Sequence, residues 1–186
     1  MSILESIKEE VMILNEQYMS NAEDRYNFWQ EHIKYVVQES LELAKTYGAD
    51  IEIVELAVLL HDIALMSKTG ARSEHHVNGA NSAKNLLAKY GYPEEKLNKV
   101  IKCILNHRSS KNGTSIEELC VADADILAHF DNILMVISNV IRNSSSLPET
   151  RKKLRDTFEY DYNDLSDMTK KVFNKRYQTI CHVVLG

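Results

Sequence analysis

The chain has 186 residues and a formal charge of −5, from 22 Lys and Arg against 27 Asp and Glu, which is room for one ordinary domain with one sizeable core. Hydrophobic residues at 44% and charged residues at 26% exclude a disordered or collagen-like chain, and only 6 Gly and 2 Pro point to long uninterrupted elements. The acidic balance offers no broad cationic surface, so coating of a nucleic acid is not expected and an anionic substrate would need a local attractor. Cys103, Cys120 and Cys181 are odd in number and lack CxxC spacing, which argues against a disulfide framework or a zinc knuckle and for buried thiols in a reducing compartment. Charge interrupts the apolar residues of the N-terminal segment, and no later run approaches the ~18 residues of a membrane span. The expectation is a soluble, cytoplasmic protein with no membrane partner, its oligomeric state left open.

Apolar residues recur at spacings of three and four along the chain. Ile3, Leu4, Ile7, Val11 and Leu14 form one stripe, and Ile33, Val36, Val37, Ala44 and Tyr47 a second, ended by Gly48. From Ile51 to Leu65 apolar residues occur almost all round, which predicts one central helix buried on most faces. Ser67 to Ser73 reads as a loop, Ala80 to Tyr90 as a helix stopped by Gly91-Tyr92-Pro93, and Leu97 to Leu105 as another helix begun by Pro93. Ser109 to Thr114 is a second loop, Ile116 to Arg142 one long helix or two, and Asn143 to Pro148 the clearest punctuation. Leu154 to Val184 supplies one or two closing helices, with a break among the Asp and Asn residues between Tyr160 and Asp167. No repeat and no hairpin signal is present, so the fold class is all-α, a single-domain helical bundle over residues 1–186.

The informative residues are ionisable groups where a bundle would prefer carbon. His61 and Asp62 interrupt the most hydrophobic segment, and burying an imidazole beside a carboxylate is costly without a compensating group such as a divalent cation. An isolated pair of this kind is more often a satisfied core histidine beside an ion-paired aspartate, but His32 precedes it on an amphipathic helix. Downstream, Asp123 and Asp125 lie in another apolar run, offset by two residues and hence about 200° apart on a helix, so that they cannot both face one point. His32, His61, Asp62 and one of these two aspartates would be a mixed nitrogen and oxygen donor set suited to Mn, Fe, Co, Ni, Mg or Zn.

This order of a His, a His-Asp pair and a distant Asp resembles the signature of the HD-domain metal-dependent phosphohydrolase superfamily, and in particular its small bacterial predicted HD hydrolases. The resemblance runs from about His32 to Phe130. Ala124-Asp125-Ile126-Leu127 matches the step that carries the family's last ligand, which places that role on Asp125 with Asp123 in reserve. His75-His76-Val77-Asn78-Gly79-Ala80 is similar to the family's His-x-x-x-Gly-Ala step, and Ile104-Leu105-Asn106-His107 to its Ile-x-x-His. The resemblance therefore implies a second-metal or phosphate-binding role for His75 and His107, with His76 as the neighbour able to replace His75. It also implies an HD core over about 28–135, with C-terminal helices 148–186 packing on it. His129 and His182 match no family position and read as structural or exposed. Two departures stand out: Ile126-Leu127-Ala128 replaces the common Arg-Leu-Asp, and Ala64 stands where Gly is common.

The activity implied is hydrolysis of a small phosphate ester or anhydride, most plausibly a nucleotide, by phosphomonoesterase or pyrophosphohydrolase chemistry through metal-activated water. Four ligands leave open positions in a six-coordinate shell, and His61 and Asp62 double as catalytic groups, Asp62 through a possible acid/base role. Lys68, Arg72, Arg108 and Lys111 are the loop cations available to a phosphate, Arg108 preferred for its position beside His107. The departures at Ile126 and Ala128 keep open a catalytically degenerate domain that senses a metal or nucleotide. A di-iron oxygenase on the same ligands, and a helical scaffold with incidental histidines, complete the alternatives.

Overall fold

A computed structural model describes residues 2–21 and 26–186 of the chain. Among the described residues the elements are helical and no strand is present. Helix α1 (Ile3–Asn21) is followed by a widened π turn (Trp29–Ile33) that runs directly into α2 (Lys34–Tyr47). Next come α3 (Ile51–Leu60), a short α4 (Ile63–Met66), α5 (His75–Lys89) and α6 (Glu94–Asn106). The remainder is α7 (Ile116–Asp131), α8 (Ile133–Arg142), α9 (Leu147–Asp164) and α10 (Asp167–Leu185).

Local chemistry accounts for the boundaries. Gly48 takes the left-handed conformation, φ 74°, that closes α2. The Asp50 carboxylate accepts the backbone N–H groups of Glu52 and Ile53 at the start of α3. Serines do the same for α7 (Ser115), α9 (Ser146) and α10 (Ser166). Each cap satisfies donors that a helix start leaves without an internal partner.

Helix α3 is the hub. Its Ile53, Val54, Leu56, Ala57, Val58, Leu59 and Leu60 are all buried, because α1, α2, α5, α6 and α7 pack around it. The most extensive helix pair is α2 against α7. Toward the C-terminus, α9 and α10 pack on each other, α8 lies against α9, and α10 touches α7. No helix among the described residues is long and apolar enough to cross a membrane. Cys103 and Cys120 are buried and Cys181 half-buried, all as free thiols. Burial pushes the Cys103 thiol up and raises Cys120 to about 12.

One expectation of continuous helix changes, and one alternative left open is decided. The single helix over Ile51 to Leu65 is interrupted at His61–Asp62, where Asp62 sits at φ −102°, ψ 13°, and α4 starts afresh. That conformation lies in the sparsely occupied region between helix and strand that active-site residues often use. The stretch Ile116 to Arg142 splits at Asn132 (φ −102°, ψ 59°), whose side-chain amide donates to the Glu31 carbonyl at 2.8 Å and its carboxylate at 2.9 Å. The break turns α8 away from α7 and ties that corner to the π turn. The closing region forms two helices, parted at Leu165–Ser166.

Candidate metal centre

Four segments bring their polar residues to one end of the α3 hub. The π turn carries His32, and it is shaped by Asn15 of α1, which donates to the Asn27 side chain at 3.1 Å and accepts the Trp29 N–H at 3.2 Å. The interruption after α3 carries His61 and Asp62, the first turn of α5 carries His75, the end of α6 carries His107, and α7 carries Asp125. His32, His61, Asp62 and His107 are all buried.

These side chains form two adjoining groups that meet at Asp62. In the first, His32 Nε2 lies 3.1 Å from His61 Nε2, 3.0 Å from Asp125 Oδ1 and 3.8 Å from Asp62 Oδ2. His61 Nε2 is 3.7 Å from both Asp62 Oδ2 and Asp125 Oδ1. In the second, Asp62 Oδ1 is 3.6 Å from His75 Nε2, which is 3.0 Å from His107 Nε2. The two oxygens of one carboxylate thus face different histidine pairs.

Backbone carbonyls orient the rings. His61 Nδ1 donates to Val58 O at 2.7 Å, His75 Nδ1 to Arg72 O at 2.9 Å, and His107 Nδ1 to Ile104 O at 2.7 Å. A carbonyl only accepts, so in each neutral ring the proton sits on Nδ1 and the Nε2 lone pair points into the centre. Burial, reinforced by the charge of His61, lowers His107 to about 4, which keeps this imidazole neutral near pH 7. Its Nε2 lone pair faces His75 Nε2 at 3.0 Å, an arrangement that a shared cation would satisfy.

The carboxylates carry the same message. Burial opposes the charge on Asp125, yet the hydrogen bond and charge of His32, with the charges of His61 and His107, hold it well below the ordinary carboxylate range. Burial likewise disfavours a protonated His61, but Asp62 and Asp125 outweigh it and raise the group. Without a metal, a proton on imidazole is the cation that these carboxylates recruit. Nitrogen and oxygen donors converging on partly desolvated space fit a divalent metal, whose identity the donor set leaves open.

The remaining candidates separate clearly. Asp123 is buried on the other side of α7, where Ser110 Oγ donates to it at 2.5 Å, the Ser166 N–H at 2.8 Å, Ser166 Oγ at 2.5 Å and Thr169 Oγ1 at 2.6 Å. Its carboxylate is saturated by Ser110 and the start of α10 and does not reach the centre. His76 packs beside His75 at 5.9 Å between ring centroids, with its buried Nδ1 lacking a partner, and stands outside the converging groups. Burial, together with the charges of Arg108 and His75, lowers it. His182 is exposed on α10.

The centre opens into a cavity of about 1040 Å³. Arg72 and Arg108 line it, and Arg108 Nη1 also donates to the Ser73 carbonyl at 3.0 Å, steadying the turn that precedes His75. Lys68 lies over the Tyr18 ring, and Lys111 pairs with Asp164 at 3.5 Å, so neither lines the cavity. Arg142 and His129 line it too, and the latter corrects the expectation of a structural or exposed histidine. Arg142 sits in the last turn of α8, where nothing in the local sequence sets it apart from a solvated helix-end cation. His129 sits one turn after Asp125, and the i, i+4 spacing is the signal that could have found it. Tyr18, Tyr26, Phe28 and Leu65 form an aromatic and apolar wall.

No curated protein matches the sequence. A solved structure described as a predicted HD superfamily hydrolase from an uncultured Thermotogales bacterium superposes with a TM-score of 0.63 at 20% identity, covering 95% of this chain and 88% of that one. At that identity the likeness is one of fold. Residues 29–129 match the HD domain family, a span that opens at the π turn bearing His32, ends just past Asp125 and takes in more than half of the sequence, and on that match the chain belongs to the HD domain family.

Proposed function

We propose that the protein is a metal-dependent phosphohydrolase acting on a small phosphate ester or anhydride, with a nucleotide as the favoured substrate. HD domains bind divalent metals, and the solved relative is described as a hydrolase, which supports that class of chemistry. The observation that carries the reading is the Asp62 carboxylate set between the His32/His61 and His75/His107 pairs at the floor of a cavity walled by arginines and aromatic rings.

When bound, a divalent cation supplies Lewis-acid polarisation of a phosphoryl oxygen and a lowered pKa for water. In this reading His32, His61, Asp62 and Asp125 hold it, and His75 and His107 hold a second cation or the phosphate. The chain's own groups do the rest. Arg72 and Arg108, with Arg142 across the cavity, draw in the phosphate that a net charge of −5 would otherwise repel. The Tyr18, Tyr26 and Phe28 rings, packed edge to face at 4.9 and 4.8 Å, offer an apolar wall to a base. Asp62 is positioned to take or return the proton of the attacking water while its second oxygen stays engaged.

The departures at Ile126 and Ala128 bear on the sensing alternative. Both side chains are buried in the core and neither lines the cavity, so no group facing a substrate is lost there. These buried substitutions therefore favour turnover over sensing. The test is a panel of nucleoside mono-, di- and triphosphates assayed with Mn, Co, Ni and Mg, scored by phosphate or pyrophosphate release. Release that Asp62→Ala abolishes is expected. Calorimetric nucleotide binding without any release would replace hydrolysis by sensing, and stoichiometric iron with oxygen consumption would replace it by oxygenation.

A further inference from the structure

We propose that His129 is an additional ligand of the cation held by His32 and Asp125, with Asp161 of α9 as the carboxylate that aims its ring. This rests on the proposed set of His32, His61, Asp62 and Asp125. His129 and Asp125 occupy successive turns of α7 and project from the same face into the cavity. The His129 ring stacks on that of His32, with centroids 6.1 Å apart and planes inclined by 29°. One ligand atom each from His32, Asp125 and His129 lies within 4.8 Å of the others, so small ring rotations bring all three onto one ion.

The supporting carboxylate makes the arrangement specific. Asp161 is buried and its Oδ2 lies 3.0 Å from His129 Nδ1. A carboxylate accepts, so Nδ1 carries the proton and Nε2 is the nitrogen left for the cavity side. A carboxylate behind a histidine is the usual device for fixing the tautomer and orientation of a metal-bound imidazole. His76, by contrast, has no such support and joins no converging group. Asp161 comes from a helix beyond the residues that match the family, so this ligand would be a contribution of the C-terminal helices to the centre.

The full chain, stripped of metal, is titrated with Co²⁺, following the d–d absorption for coordination and calorimetry for the dissociation constant. Asp161→Asn keeps the shape of the side chain and should weaken cobalt binding on the order of 10-fold or more. His129→Ala should weaken it at least as much and shift the d–d band, and free imidazole should restore that band by filling the vacated space. An unaltered band and dissociation constant in both variants, whatever their melting temperatures, overturns the proposal and leaves His129–Asp161 as a structural pair. His61→Ala separates the two levels. Loss of cobalt there with full binding in His129→Ala removes only the role of His129, whereas full binding in His61→Ala removes the underlying ligand set as well.

Discussion

Asp123 and Asp125 show how two identical side chains, two positions apart, come to opposite uses. A helix turns by about 200° over two residues, so one carboxylate faces the candidate metal centre and the other Ser110 and the start of α10. Asp125 lies 3.0 Å from His32, while Asp123 accepts four hydrogen bonds from Ser110, Ser166 and Thr169. Substituting each in turn should separate the two uses by their effect on metal binding. Asp123→Ala leaves buried donors without an acceptor and should cost about 3 kcal/mol in a denaturant melt, with metal binding retained in the folded fraction. Asp125→Ala should abolish or sharply weaken metal binding in the folded protein, and it also costs stability without metal, because it removes the acceptor that His32 meets at 3.0 Å. At this scale the sequence supplied the residue types and a pair of alternatives for one position. For His129 only its place one turn after Asp125 was legible, because its partners, Asp161 and the His32 ring, lie 32 and 97 positions away.

At the scale of elements, the meeting of α5 with the end of α3 is the tightest joint near the centre. A Cβ on Gly79 would stand 3.0 Å from the His61 carbonyl oxygen and within 3.9 Å of Ala64 Cβ. Glycine at this step lets α5 approach the backbone of His61. In an exposed helix Gly→Ala gains about 1 kcal/mol, but here the added methyl must displace backbone. Gly79→Ala is therefore expected to be less stable than the natural chain by about 1 kcal/mol and to bind metal more weakly, measured by urea melts and metal titration. The stops and starts of the helices were legible because Gly48, Asp50, Ser115, Ser146 and Ser166 act on their own neighbours. The interruption at Asp62 was not, since an apolar period continues through it and only a change in two dihedral angles marks it.

Across the whole molecule, a charged junction joins α2, α7 and α10. Arg176 donates to Glu39 at 3.1 Å and to Asp131, while Asp131 Oδ2 is buried without a partner. Burial, with Asp131 beside it, raises Glu39 to about 7 against the attraction of Arg176. Because the folded value exceeds the 4.5 of an unperturbed glutamate, this group adds stability that is fully present below pH 4.5 and is lost as pH rises through about 7. Glu39→Gln should flatten the pH dependence of stability between 4.5 and 7 in denaturant melts. The same junction, with the Asp123 cluster, argues that the C-terminal helices and the family core unfold as one unit. A single calorimetric transition is expected for the full chain, and removal of residues 148–186 should lower the melting temperature of what remains, since Asp123, Asp131 and Glu39 would all lose partners.

Helical class, element order, capping residues and the succession of His32, His61-Asp62, His75, His107 and Asp125 were determined by the sequence itself, through patterns that act within one or two helical turns. The tertiary structure decided which aspartate of α7 meets His32, that Asp62 stands between two histidine pairs, that Arg142 faces the same cavity as Arg72 and Arg108, and that His129 is backed by Asp161. The division has a physical cause. Propensity, capping and amphipathic period are local, whereas the convergence of groups many turns apart depends on how helices cross, and that is settled only when every buried face has found its partner.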